Sequence, residues 1–171
     1  MIILITGGAR SGKSNYAQNL ALNMSNSPVY VATAKDWGDD FTERIQHHKN
    51  NRGKECMSYE EEFEVSKLPI QETVAVIDCI TLWLTNFFIK NQNNIDTALI
   101  EFKKEIIAIH QMPGTFIIVS NEIGMGVHAE TAIGRKFTDL QGWANQFVAS
   151  LADKVIFMVS GIPVIIKETN Q

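Results

Sequence analysis

Gly7-Gly8-Ala9-Arg10-Ser11-Gly12-Lys13-Ser14 fits the pattern G-x-x-x-x-G-K-[ST]. It stands between an apolar run, Ile2–Thr6, that reads as a strand and an Ala/Leu/Asn-rich stretch, Lys13–Met24, that reads as a helix. That strand-loop-helix context gives the match its weight. Gly7 and Gly12 permit backbone angles closed to residues with a Cβ, so successive N–H groups can turn toward phosphate oxygens. Lys13 brings a point charge for the β- and γ-phosphates, the Ser14 hydroxyl is placed to hold Mg²⁺, and the helix start adds partial positive charge. All eight residues are therefore expected around the phosphates of a nucleoside triphosphate. The alternative is a chance glycine-rich turn, and the motif alone leaves the reaction open.

A magnesium ion on such a loop is usually also held by an acid at the end of a neighbouring apolar strand. Val74-Ala75-Val76-Ile77-Asp78 has that form. Asp78 is thus a metal candidate beside Ser14, with capping of the following helix as the structural alternative.

Further strands are expected at Val29–Ala32, Thr73–Asp78, Thr115–Ser120, Val155–Val159 and Val164–Ile166. Helical stretches lie between most of them: Asp39–Asn50, Ile95–His110 and Thr131–Leu151. Four of the strands are almost wholly apolar, which suits a mostly parallel sheet covered on both faces by helices. Only Ser160-Gly161-Ile162-Pro163 separates Val159 from Val164, too short for a crossover, so the chain is expected to close with an antiparallel hairpin. The fold class is α/β, a P-loop NTPase arrangement of the RecA-like kind. Glu60 to Glu62 read as a solvated helix start.

With 171 residues, 45% hydrophobic, one domain spanning 1–171 is expected. Fifteen Lys+Arg against nineteen Asp+Glu, a formal charge of −4, give no electrostatic footprint for nucleic acid. Cys56 and Cys79 form no disulfide framework and no paired metal knuckle, which points to a reducing cytoplasm. The opening apolar run is too short for a signal segment, and the longest apolar candidate, Cys79–Ile89, is interrupted by Thr81, Thr85 and Asn86. No membrane span is expected.

Arg44-Ile45-Gln46-His47-His48-Lys49 puts adjacent histidines on a charged helix, facing different directions. Spacing alone makes them ordinary surface residues. Together with the phosphate loop, however, this block, Cys79-Ile80-Thr81-Leu82 with Thr85-Asn86, Asn121-Glu122-Ile123-Gly124-Met125-Gly126, and Gly142 with Asn145-Gln146 form an ordered set. The chain so read resembles the bifunctional adenosylcobinamide kinase/adenosylcobinamide-phosphate guanylyltransferase family, nearly end to end.

The resemblance implies two reactions. A nucleoside triphosphate, ATP or GTP, phosphorylates the hydroxyl on the aminopropanol arm of the corrinoid adenosylcobinamide, and GTP then donates GMP to that phosphate, through a guanylylated histidine that maps onto His47. A neutral imidazole can attack the α-phosphorus and so split one displacement into two. The resemblance also implies nucleotide contacts at Ala32, Thr33 and Ala34, at His48, Lys49, Asn50 and Asn51, and at Glu60, with Asp78 matching a family carboxylate. It suggests a homotrimer. Within 171 residues both activities would share one pocket. Asn121 and Glu122, after the fourth expected strand, are candidate corrinoid or phosphate contacts. Arg135 and Asp139 read as a helix ion pair; Trp83, Phe87 and Phe88 read equally as core or interface. The sequence departs from the family at Val127-His128-Ala129, where proline is common, and at Cys56, where tryptophan is. A monofunctional small-molecule kinase and a non-catalytic nucleotide-binding switch are the competing functions.

Overall fold

The computed structural model describes residues 1–34 and 57–169. Their elements run β1 (Ile2–Gly7), α1 (Lys13–Met24), β2 (Val29–Ala32), β3 (Met57–Glu60), a single 3₁₀ turn (Val65–Lys67), β4 (Val74–Asp78), α2 (Ile80–Lys90), α3 (Ile95–Gln111), β5 (Thr115–Val119), α4 (Ala132–Leu151), β6 (Lys154–Val159) and β7 (Ile162–Glu168). The expected strands and the three expected helices among these residues are present. The expected helix at Asp39–Asn50 lies outside the described residues.

The strands form one sheet in the order β3-β2-β4-β5-β1-β6-β7. Every neighbouring pair is parallel except β6 with β7. Unbroken apolar strands follow from burial on both faces. Ile2, Leu4, Val29 and Val31 look toward one core, filled by side chains of α2, α3 and α4. Their chain neighbours Ile3, Ile5 and Tyr30 look toward another, filled by Ala17 and Ala21 of α1. This is the α/β layering expected, with α1 the one helix on its face among the described residues. Trp83, Phe87 and Phe88 are core, all below 5% exposed. The β6–β7 hairpin turns through Ser160 and Gly161, both at positive φ, as a two-residue turn of matching twist requires.

Two expectations need correction. Glu60 ends a strand rather than opening a helix. Beyond it Glu61 Oε1 accepts from the amides of Phe63 and Glu64, closing a loop ahead of the 3₁₀ turn. The ion pair expected within α4 is also not formed: the Arg135 guanidinium donates instead to the carbonyls of Ala129 and Glu130, before the helix. Those carbonyls fall within its reach where the chain enters α4, and they need donor partners there.

Candidate active site

Parallel pairing places the carboxyl ends of six strands along one edge, where α/β sheets bind ligands. Register makes the edge specific. Ala32 pairs with Glu60 on one side and with Asp78 on the other, Asp78 pairs with Val119, and Val119 with Ile5. The phosphate loop rises from β1 beyond that row.

Gly7 has a φ of 153°, and a Cβ there would stand 2.5 Å from the Met158 carbonyl oxygen, so only glycine lets the loop leave the sheet this close to β6. Gly12, at φ 91°, opens α1 in the left-handed region. Being glycine, it gives the helix no side-chain cap, and no acid occupies the first turn. The first amides of α1 therefore have no competing side-chain anion, the condition for an anion site at a helix start. The Gly161 amide closes the loop from the β6–β7 turn by donating to the Ser11 carbonyl at 3.0 Å.

Lys13 is buried, and its ammonium donates to the Gly8 carbonyl at 2.6 Å and to Ser11 Oγ at 3.4 Å. Burial holds its pKa below 10.5, while the neighbouring Cys79 and Asp78 pull it part of the way back. Asp78 is thus close enough to act on the lysine charge. Its carboxylate accepts a hydrogen bond from the Tyr30 hydroxyl, so it does not cap α2, whose N-cap is Cys79. The Cys79 thiol is pushed up to about 12, mainly by desolvation and then by the Asp78 charge, so it stays protonated and is no nucleophile.

Beside these groups, Thr33 anchors the end of β2, its amide donating to the Asp78 carbonyl and its hydroxyl to that of Cys79. Asn86 Nδ2 donates to the carbonyls of Thr33 and Glu62, tying the exits of β2 and β3 together. Glu60 is exposed at the end of β3. Asn121 and Glu122 lie next to the loop, the Glu122 amide donating to the Gly7 carbonyl at 2.9 Å.

The structure therefore brings together residues 7–14, Ala32, Thr33, Ala34, Glu60, Asp78, Asn121 and Glu122 on one edge. His47, His48, Lys49, Asn50, Asn51 and Cys56 lie outside the described residues. Sequence reasoning missed Tyr30, whose only signal is a hydroxyl inside an apolar strand, and Ser120 and Gln141, which are buried together beneath Asn121.

A family model described as cobinamide kinase / cobinamide phosphate guanyltransferase matches residues 3–166. The chain belongs to this, the CobU family. It is 34% identical to the bifunctional adenosylcobalamin biosynthesis protein CobP of Pseudomonas aeruginosa over 170 residues, covering 96% of each chain. To the CobU protein of Salmonella typhimurium, described by the same function, it is 36% identical over 183 aligned positions, covering 98% of this chain and all of that one. Among solved structures, a Pyrococcus horikoshii OT3 protein superposes with a TM-score of 0.56 at 8% identity, covering 99% of this chain and 87% of that one. That likeness concerns the fold alone. In this chain the phosphate loop at the end of β1 is thus set in a mostly parallel sheet, with the exits of the other parallel strands on the same edge.

Proposed function

We propose that the chain is a single catalytic domain that carries out both family reactions at one nucleotide pocket. The first is phosphorylation of the hydroxyl on the aminopropanol arm of adenosylcobinamide by ATP or GTP. The second is transfer of GMP from GTP to that phosphate, giving adenosylcobinamide-GDP. The observation that supports this best is the buried Lys13 ammonium, held against the Gly8 carbonyl of the phosphate loop within a chain that matches the family over residues 3–166.

In the first reaction the acceptor oxygen attacks the γ-phosphorus, the bond from that phosphorus to the bridging oxygen breaks, and the nucleoside diphosphate leaves; the hydroxyl proton passes to solvent. Here the chain positions and neutralises: Lys13 and the loop amides hold the phosphates where negative charge builds. In the second, an imidazole nitrogen of His47 attacks the α-phosphorus and pyrophosphate leaves. An oxygen of the corrinoid phosphate then attacks the same phosphorus, and the P–N bond breaks to restore the histidine.

Ser14 and Asp78 fit Mg²⁺, because they offer one hydroxyl and one carboxylate oxygen, hard donors few enough to leave positions for phosphate oxygens and water. When bound there, the ion offsets charge on the β- and γ-phosphates. The Tyr30 hydroxyl orients the carboxylate from the side. The reaction takes place in the cytoplasm, and the chain works as a homotrimer, a state that light scattering tests.

The deciding assay supplies adenosylcobinamide, ATP and GTP. Both phosphorylated and GDP-linked corrinoid are expected, with pyrophosphate released. A diphosphate as the sole nucleotide product would reduce the chain to a plain kinase; turnover indifferent to the corrinoid would make it a switch. With GTP labelled at the α-phosphate, acid-labile label on the protein should vanish in His47→Ala, and its persistence would overturn that assignment.

A further inference from the structure

Beneath the Asn121–Glu122 turn lies a run of polar side chains that the chemistry above does not use. Gln141 and Asn145, four apart on α4, present one face toward the end of β5. Gln141 Nε2 donates to Ser120 Oγ and to Asn145 Oδ1, each at 3.0 Å. Ser120 Oγ donates to Asn145 Oδ1 at 2.6 Å, and Asn145 Nδ2 donates to the Asn121 carbonyl at 3.1 Å. From there the turn is held by two further elements: Asn121 Nδ2 donates to Thr81 Oγ1 of α2 at 3.1 Å, and the Glu122 amide to the Gly7 carbonyl of the phosphate loop. The Glu122 carboxylate accepts from the Gly124 amide at 2.8 Å, folding the next residues back on the turn.

Stability does not account for this arrangement. Ser120 and Gln141 are no more than 1% exposed, and they sit beside Leu140 and Ala144 of the main core. Apolar side chains of similar size would fill that space without needing partners, and replacing buried polar groups in this way is often neutral or stabilising. Gln141 Oε1, moreover, is buried with no hydrogen-bond partner among the described residues. What the polar set provides instead is direction. Its donors converge on Ser120 and Asn121 and fix how the turn is presented beside the phosphate loop.

We propose that Gln141 and Asn145 are positioning residues for the Asn121–Glu122 turn, and that this turn receives the phosphoryl acceptor, the hydroxyl- or phosphate-bearing arm of the corrinoid. The inference rests on the function proposed above. Neither residue touches substrate; both act through Asn121, whereas nucleotide binding depends on the loop amides and Lys13 and is independent of α4.

The test compares the full chain with Ser120→Ala/Gln141→Leu/Asn145→Leu, which removes the buried hydroxyl together with its partners, and with Asn145→Asp. The second variant keeps the acceptor oxygen that serves Ser120 and Gln141 and replaces the donor to the Asn121 carbonyl by a carboxylate oxygen that repels it. Acceptor KM, kcat, GTP affinity and Tm are measured for each. The triple variant is expected to match or exceed the parent Tm with GTP affinity unchanged, while both variants raise the acceptor KM roughly tenfold or more, as misplacement of a substrate contact does. An unchanged acceptor KM in either folded variant would overturn the inference, as would GTP affinity falling in step with acceptor KM and Tm. No corrinoid product from the unmodified chain would instead overturn the functional reading and this inference with it.

Discussion

The Lys13 ammonium donates to the carbonyl oxygen of Gly8 at 2.6 Å, tying a buried charge to the backbone of the loop it serves. Such a charge-assisted bond to a ligand is worth about 1.5–3 kcal/mol, so Lys13→Ala is expected to weaken GTP binding roughly ten- to hundredfold. The pH dependence follows from burial. The ammonium's pKa is lowered from 10.5 by desolvation, and the neutral amine cannot pair with phosphate, so affinity should fall as pH rises into the window below 10.5. In nucleotide-free protein the unfolded chain binds the extra proton across that window, so this group's contribution to stability rises with pH there. Titration calorimetry over alkaline pH checks the first effect. A GTP affinity flat with pH in the parent would refute it.

Gly7 and Gly8 are adjacent but not equivalent. A methyl at Gly7 would meet the Met158 carbonyl at 2.5 Å in backbone that side chains rarely adopt, whereas at Gly8 nothing lies within 4 Å. Gly7→Ala is expected to cost about 1–3 kcal/mol in urea denaturation, and Gly8→Ala less than about 0.5 kcal/mol. Equal losses would contradict the crowding seen against β6.

The Tyr30 hydroxyl donates to the Asp78 carboxylate from the neighbouring strand. Asp78→Asn removes the anionic oxygen and should raise the Mg²⁺ concentration needed for half-maximal turnover by tenfold or so, while Tyr30→Phe frees the carboxylate and should shift it only about twofold. A magnesium titration of turnover separates the two. An Asp78→Asn curve superposing on the parent would take Asp78 out of the metal role.

How much of this was legible in the sequence differs residue by residue. Ile2–Thr6 and Val74–Asp78 announce buried parallel strands because every position but the last is apolar, and their ends then locate Gly7 and Asp78. Met57-Ser58-Tyr59-Glu60 announces nothing of the kind: at the sheet edge, largely exposed, it owes its strand conformation to pairing with Val29–Ala32. The same long-range pairing turns Glu60 from a helix start into a site-edge residue. Tyr30 with Asp78 and Gln141 with Ser120 are contacts between distant segments, which periodicity cannot reveal. His47 is singled out by family resemblance, since local spacing makes it one surface imidazole beside another.

Trp83 is fully buried, packs edge-on against Phe102 at 5.4 Å and donates from Nε1 to the Phe63 carbonyl at 3.1 Å. Trp83→Ala is expected to cost about 3–5 kcal/mol through the cavity it leaves. Trp83→Phe keeps most of the packing but orphans the carbonyl, costing about 1–3 kcal/mol. Chemical denaturation measures both, and a loss under about 1 kcal/mol for the alanine variant would be at odds with a core position.

Cys79 carries the second pH signature. Its thiol is pushed from 9.0 up to about 12, chiefly because burial disfavours the thiolate and then because Asp78 repels it. The folded chain thus holds this proton more tightly than the unfolded chain does, so the stability it contributes is complete below pH 9.0 and is lost as pH climbs from there toward about 12. Cys79→Ala should flatten that alkaline decline, measured as urea midpoints against pH in nucleotide-free protein. Peptide mapping after iodoacetamide at pH 9 should find Cys79 unmodified in folded protein and modified once urea is added, because the thiolate is the reacting form. Rapid alkylation of Cys79 without denaturant would mean that the thiol is neither buried nor protonated.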